Sequence, residues 1–288
     1  GGGDAVVVGG GFIGLEMVEN LIHRELSVAI LEKLPQVMPP LDPELAVPLR
    51  EHLAAKGVQL HLGDGLANIE ERAGAGLIVV AESGARLPAD LVILAIGVRP
   101  ETSLAKDAGL QIGPRGGIVV DAQMRTSDPH IWAVGDVVEV QDVLTGQETV
   151  LPLAGPANRQ GRVAAESIAG RATHFRGVQA TAVVGVLGLT VASTGASEKG
   201  LRRAGLTSFQ SVYLHPGHHA GYYPGAQAIH LKLLFGVPDG RILGAQAVGL
   251  EGVEKRIDVI ATAIQFNGTV HDLAEVEPEL LRCERQLI

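Results

Sequence analysis

The stretch AVVVGGGFIGLE, residues 5–16, constrains the fold more than any other part of the chain. Apolar, β-forming residues run into Gly9, Gly11 and Gly14, and an amphipathic run follows at once, so the segment reads as strand, tight turn and helix. The first glycine permits the turn, the second leaves room for another molecule to approach the backbone, and the third lets the helix pack close on the strand. A helix that starts at such a turn presents unpaired N–H groups and the positive end of its dipole, which suits a phosphate.

Apolar runs of strand length (SVAILE, VQLHL, GLIVVAE, LVILAIG) continue to about Val98, separated by helical patterns over residues 13–24 and 42–56. Strands alternating with helices predict an α/β domain, doubly wound and Rossmann-like, with a mainly parallel sheet. The run LIVVAESGARLPADLVILA departs from this pattern. Two strands joined at Ser83-Gly84 stand too close for a helical crossover, which predicts a small antiparallel excursion before the last parallel strand. Asp42, followed by Pro43, predicts the N-cap of the second helix, with Glu44 and Glu51 on its solvated face. Glu32 ends the run SVAILE, eighteen residues after Gly14. An acid there accepts hydrogen bonds from an adenosine ribose 2′-OH and repels a 2′-phosphate, pointing to NADH. Lys33 beside it softens that preference and leaves NADPH open.

From about Val178 the order changes to strands first and then one long helix, 252–266, which predicts an α+β domain. The 288 residues suit about two domains, and 46% hydrophobic content suffices for their cores. A net charge of −9 without any Lys/Arg block argues against a nucleic-acid partner. The longest apolar run, Ala180–Thr194, is broken by glycines and shorter than the ~20 residues of a membrane span, so it reads as a buried strand or strand pair. No charged leader or cleavage site is present, and the one cysteine, Cys283, builds no internal disulfide, so the expected location is cytoplasmic. His218 and His219, adjacent on an extended segment near His215, would point to opposite faces, and no metal site is expected.

A second constellation, MRTSDPHIWAVGD at 124–136, resembles the second flavin-binding motif of the FAD-dependent pyridine nucleotide-disulfide oxidoreductases, in which the Asp after Gly holds a flavin ribityl hydroxyl. The resemblance assigns that position to Gly135 and Asp136. GGGFIGLE is similar to the family's nicotinamide-binding turn, implying NADH contacts from Gly9, Gly11, Phe12, Ile13, Gly14 and Glu16, with Phe12 where many relatives place a tyrosine over the flavin. AIGVRPET resembles the loop that closes the nicotinamide domain and adds Gly97. LPLAGPANRQGRVAAESIAG resembles the helix facing the flavin pyrimidine ring, implying FAD contacts at Leu153 and Ala154. That helix is expected after Pro156, with no acid in its first turn, so its dipole opposes negative charge on reduced flavin. HHAGYYPGAQAIHLKLLF resembles the dimerisation domain of the coenzyme A-disulfide reductase and NADH oxidase branch, placing Tyr222 or Tyr223 near the partner subunit's redox site.

The resemblance implies three regions: a nicotinamide-binding domain at 1–116, a returning segment of the FAD-binding domain at 117–176, and an α+β dimerisation domain at 177–288. It implies FAD and NADH as cofactors, a homodimer, and hydride passed from NADH through FAD to a disulfide (coenzyme A disulfide or a persulfide) or to O2. The homodimer is also expected because apolar strand content after residue 180 exceeds what one helix could cover. The family's first flavin-binding turn and redox cysteine would both precede residue 1. The chain is therefore expected to be a fragment that binds FAD weakly or not at all and is inactive alone. Cys283, in the tail PELLRCERQLI that lacks the family's tyrosine, is not expected to be catalytic. The alternatives are a non-catalytic NAD(H)-binding dimer module and an NADH oxidase or peroxidase.

Overall fold

The computed structural model describes residues 2–72, 74–222 and 224–276. The elements in chain order begin with β1 (Asp4–Val8), α1 (Phe12–His23), β2 (Ser27–Glu32), α2 (Pro43–Ala55), β3 (Gln59–Leu62), β4 (Leu66–Glu71), β5 (Leu77–Ala81), β6 (Arg86–Ala89) and β7 (Leu91–Leu94). There follow α3 (Ser103–Asp107), β8 (Ile118–Val119), β9 (Val138–Gln141), β10 (Glu148–Thr149) and α4 (Ala154–Ile168). The last are β11 (Ala182–Val186), β12 (Leu189–Gly195), α5 (Glu198–Arg203), β13 (Phe209–Leu214), β14 (His230–Gly236), β15 (Ile242–Gly249), α6 (Val253–Gln265) and α7 (Val270–Glu275). They form two compact units, one from the described residues of Gly1–Gly97, Val183–Lys199 and Ser208–Ile288, the other from Val98–Ala182 and Gly200–Thr207.

In the first unit a parallel sheet of order β3-β2-β1-β7 carries α1 and α2 as its crossovers. β1 is buried on both faces: Ala5 and Val7 enter one apolar cluster with Leu15, Val18 and Leu49, while Val6 and Val8 enter another with Val79 and Leu87. That two-sided burial is what an all-apolar central strand requires. The antiparallel excursion is present, with β5 and β6 turning through Ser83-Gly84, and β4 adds a third strand. The sequence LANIEE of β4 hid this strand, because none of its residues is fully buried and it has no apolar face to alternate.

The C-terminal strands form one sheet of order β11-β12-β15-β14-β13, antiparallel from β12 through β13. β11 and β12 meet at Leu187-Gly188, both at positive φ (53° and 87°), the backbone of a two-residue hairpin turn. The run 180–194 is thus a strand pair. Its apolar surplus is covered largely within the chain. α6 packs on β12 and β15, α2 also packs on this sheet, and Val184, Val186, Val191 and Val248 join the cluster containing Leu15 and Leu49. The surplus therefore does not by itself demand a second copy. α7, which no apolar run announced, starts at a capping box between Thr269 and Asp272.

A buried ionic cluster joins α2 to this sheet. Lys232, on β14, is 1% exposed, and its ammonium reaches Asp42 Oδ2 at 2.9 Å, Glu44 Oε1 at 2.5 Å and Glu198 Oε2 at 2.8 Å. Three N–H donors thus meet three carboxylates. Asp42 occupies the N-cap position of α2, but its side chain makes no capping bond. Instead the carboxylate takes bonds from Gln246 Nε2 at 2.9 Å, the Glu198 N–H at 3.1 Å and Lys232. Glu44 likewise leaves the purely solvated role expected of it, accepting from Lys232 and from the Tyr213 hydroxyl at 2.5 Å. Burial alone would lower the Lys232 pKa, but hydrogen bonds to Glu198, Glu44 and Asp42 outweigh it and hold the ammonium above the ordinary lysine value. Burial raises Glu44, and the bonds from Lys232 and Tyr213 more than reverse that, leaving its carboxyl below the ordinary value.

In the second unit, β8, β9 and β10 form a three-stranded sheet of order β10-β9-β8. Met124, Val138, Val140, Val163, Ala164 and Phe175 make its core, with α4 supplying Val163 and Ala164. Among the described residues no helix is long and apolar enough to cross a membrane.

Two predictions follow from the first unit. A Cβ on Gly14 would lie 1.9 Å from the Gly9 carbonyl oxygen, so G14A should lower stability by about 2–3 kcal/mol in urea unfolding. As pH falls below the ordinary value of 4.5, the unfolded chain takes up the Glu44 proton before the folded chain does. Stability present above that pH is therefore lost as pH drops through the lower folded value. E44Q should lower Tm at pH 7 and flatten the decline of Tm below pH 4.5; an unchanged acid limb would contradict the cluster's contribution.

Candidate functional site

The glycine turn after β1 is shaped by contacts that only glycine permits. Gly9 has φ of +108°, and a Cβ there would come within 2.3 Å of the Ala95 carbonyl oxygen. Gly11 is different: its φ is −82° and a Cβ on it would meet nothing within 4 Å. Among the described residues no contact asks for a glycine at that position. Gly11 opens onto a cavity of about 530 Å3 lined by Gly9, Phe12, Glu32, Lys33 and Gly97 among others. The Leu15 N–H bonds the Gly11 carbonyl at 3.0 Å, so the N–H groups of Phe12, Ile13 and Gly14 precede the first intrahelical bond of α1. No acidic residue lies in that first turn.

Glu32 is 7% exposed and holds the turn in place. Its Oε2 accepts the Gly10 N–H and its Oε1 the Leu34 N–H, both at 2.7 Å. Each carboxylate oxygen keeps a second lone pair for another donor. Lys33 pairs with Glu82 at 3.3 Å, exposed on both sides, and both residues line the same cavity. The Gly10 carbonyl accepts the N–H of buried Met38 at 2.7 Å, bringing the segment after β2 over the turn. Pro39 and Pro40 of that segment line the cavity, which the sequence reading did not foresee. The signal available for them was the proline pair between the second strand and the second helix. Of the other expected residues, Ile13 is half-exposed and Glu16 is exposed, its carbonyl accepting from Asn20 Nδ2 at 2.8 Å.

In the second unit Gly135 turns at φ +86°, and its N–H donates to Gln160 Oε1 at 2.7 Å. Gln160 is buried in α4 with Pro156, Val163, Ala164 and Ser167. The Gly135-Asp136 turn and α4 are therefore tied together, by a residue the sequence reading missed. An amide lying on the apolar stripe of a helix was the available clue. Trp132 Nε1 adds a bond to Ser167 Oγ at 3.0 Å, and Asp136 itself is exposed. α4 starts at Ala154, two residues before the expected Pro156. Proline fits within a first turn, whose N–H groups have no intrahelical partner. Leu153 is the N-cap residue and the first turn holds no acid.

Tyr222 is 76% exposed, on the loop closed by the His218 N–H to the Gln227 carbonyl at 2.9 Å; Tyr223 lies outside the described residues, as does Cys283. The rings of His218 and His219 do not point to opposite faces but sit 4.0 Å apart at 59°, because the chain bends there and is not extended. Among the described residues, the one trio of acidic or histidine groups close enough to share an ion is Asp42, Glu44 and Glu198, and the Lys232 ammonium already bonds all three.

Residues 2–161 match the pyridine nucleotide-disulphide oxidoreductase model, and residues 181–277 match that family's dimerisation domain. An NADH oxidase of Methanocaldococcus jannaschii is 39% identical over 94% of this chain and 60% of its own length. A reduced CoADR-RHD from Bacillus anthracis is 49% identical with a TM-score of 0.92, covering 96% of this chain and 49% of that one. An NAD-dependent persulfide reductase from A. fulgidus is 41% identical with a TM-score of 0.93, covering 96% of this chain and 51% of that one. The chain thus spans between about half and three fifths of these proteins. With the family's model matching more than half of its residues and the family's dimerisation domain matching most of the rest, this chain belongs to the pyridine nucleotide-disulphide oxidoreductases.

Proposed function

We propose that the chain binds NADH in the cavity above the Gly9–Gly14 turn and serves as the nicotinamide-binding and dimer-forming portion of a flavoprotein reductase. Gly11 is the observation that carries this reading: a glycine at ordinary backbone angles, required by no contact among the described residues, facing a cavity of about 530 Å3. The N–H groups at the start of α1 receive the pyrophosphate, and the acid-free first turn leaves the helix dipole unopposed. Glu32, already oriented by two backbone N–H bonds, offers its remaining lone pairs to the ribose hydroxyls of the adenosine half. Phe12 and Gly97 form the wall toward the nicotinamide, with Ile13 and Glu16 on the first turns beyond it.

Gly135 and Asp136, with Leu153 and Ala154 at the start of α4, suit the sugar-phosphate side and pyrimidine edge of FAD. The exposed Asp136 carboxylate accepts hydroxyls, and the acid-free helix end opposes developing negative charge. When bound, NADH supplies a hydride and FAD a two-electron relay toward coenzyme A disulfide, a persulfide or O2. Homodimer formation goes to the region matching the dimerisation domain, with Tyr222 or Tyr223 assigned to the partner subunit's acceptor site. A second reading, an NAD(H)-binding dimer module without chemistry of its own, draws on the single cysteine of the sequence, Cys283.

Calorimetric titration tests the proposal. NADH should bind saturably and more tightly than NADPH, because Glu32 faces the 2′ position and Lys33 is engaged by Glu82. G11V should weaken NADH about tenfold or more while leaving Tm near that of the parent, since the added side chain enters the cavity and not the core. No NADH binding by the parent chain, or an undiminished affinity in G11V, would overturn the assignment of the cavity.

A further inference from the structure

The segment from Lys33 to Asp42 leaves β2, crosses the cavity as Pro39-Pro40, and enters α2. Its inner side is secured by the Met38 N–H on the Gly10 carbonyl and by the burial of Val37, Met38 and Leu41. The two prolines have no N–H to donate, so their backbone is held only through carbonyl oxygens. One grip is local, Gln36 Nε2 donating to the Leu41 carbonyl at 3.0 Å; the others come from far along the chain. Lys199 Nζ donates to the Pro39 carbonyl and, at 2.5 Å, to the Leu41 carbonyl. One residue on, the Asp42 N–H donates to Gln246 Oε1 at 2.8 Å, and the Asp42 carboxylate is locked by Gln246, Lys232 and the Glu198 N–H.

The distant partners, Lys199, Glu198, Lys232 and Gln246, lie beyond residue 195, within or beside the C-terminal sheet. The wall that borders Glu32 is thus completed by side chains from the region matching the dimerisation domain. Lys199 bonds the wall at two carbonyls, one of them on a cavity-lining residue, whereas Lys232 reaches the segment through the Asp42 carboxylate.

We propose that Lys199 is a positioning residue for the dinucleotide: by holding the Pro39 and Leu41 carbonyls from the C-terminal sheet side, it sets the wall against which the adenosine half of the dinucleotide packs. This rests on the reading of the cavity as the NADH site. It makes nucleotide affinity depend on a residue more than 150 positions from the glycine turn, in a different matched region of the chain.

The test uses K199M, K199R and the parent chain, each titrated calorimetrically with NADH and with ADP-ribose, which keeps the adenosine half and the pyrophosphate and lacks the nicotinamide ring. K199M should bind both ligands about five- to tenfold more weakly, with equal loss for the two. K199R, which restores a cationic donor, should recover most of the affinity. Tm of K199M serves as the structural control: a Tm close to that of the parent together with lost affinity supports positioning. Unchanged affinity in K199M overturns the inference, as does a loss seen with NADH but not with ADP-ribose. If K199M does not fold, K199Q carries the same expectation, a matched loss for both ligands, and the same overturning results. A parent chain that binds neither ligand overturns the NADH reading itself, which separates that failure from the failure of Lys199.

Discussion

The buried ammonium of Lys232 is the constraint from which much of the first unit follows. An ion taken out of water costs several kcal/mol unless its bonds are replaced in kind, and here each of its three donors has a carboxylate. Those carboxylates come from the entrance of α2 and from the first residue of α5, so the strand carrying Lys232 can be buried only where those two segments converge. The arrangement leaves no alternative register for β14, because a one-residue slip would turn the lysine to the other face of the sheet. A purely apolar contact in this place would hold the helix as firmly but would tolerate sliding.

The same logic on a smaller scale governs the glycine turn. Glu32 spends one lone pair of each oxygen on the backbone of Gly10 and Leu34, which sets the exit of β2 against the exit of β1. An acid at this position is thus a structural brace before any ligand arrives, and the brace leaves it aimed along the cavity wall. Structural and ligand-binding roles are not competing explanations here, since a carboxylate has four acceptor sites and the fold uses two of them.

The parallel core was legible because its strands are buried on both faces and its turn is written in glycines, so composition and period agree. That Gly9, Gly11 and Phe12 of the turn would line a cavity was legible for the same reason. What escaped the sequence was held by single polar side chains acting over long separations. β4 is a polar strand whose pairing partner, not its own pattern, defines it. Gln160 braces the Gly135 turn across 25 positions, and Gln246 braces Asp42 across 204. Asp42 itself shows the limit of local rules: its position is that of an N-cap, but a buried lysine and amide outbid the helix N–H groups for its carboxylate. The histidine pair failed for a related reason, since the expectation of opposite faces assumed an extended chain where the backbone bends.

The central claim is that the cavity over Gly11 is a dinucleotide site, and a crystal structure of the chain grown with NADH tests it most directly. The account predicts pyrophosphate density within hydrogen-bond distance of the Phe12 and Ile13 N–H groups, with a ribose hydroxyl on Glu32 and the adenine beside Pro39 and Pro40. Density for the dinucleotide at any other place in the chain, with the Gly11 cavity filled only by water, would contradict it.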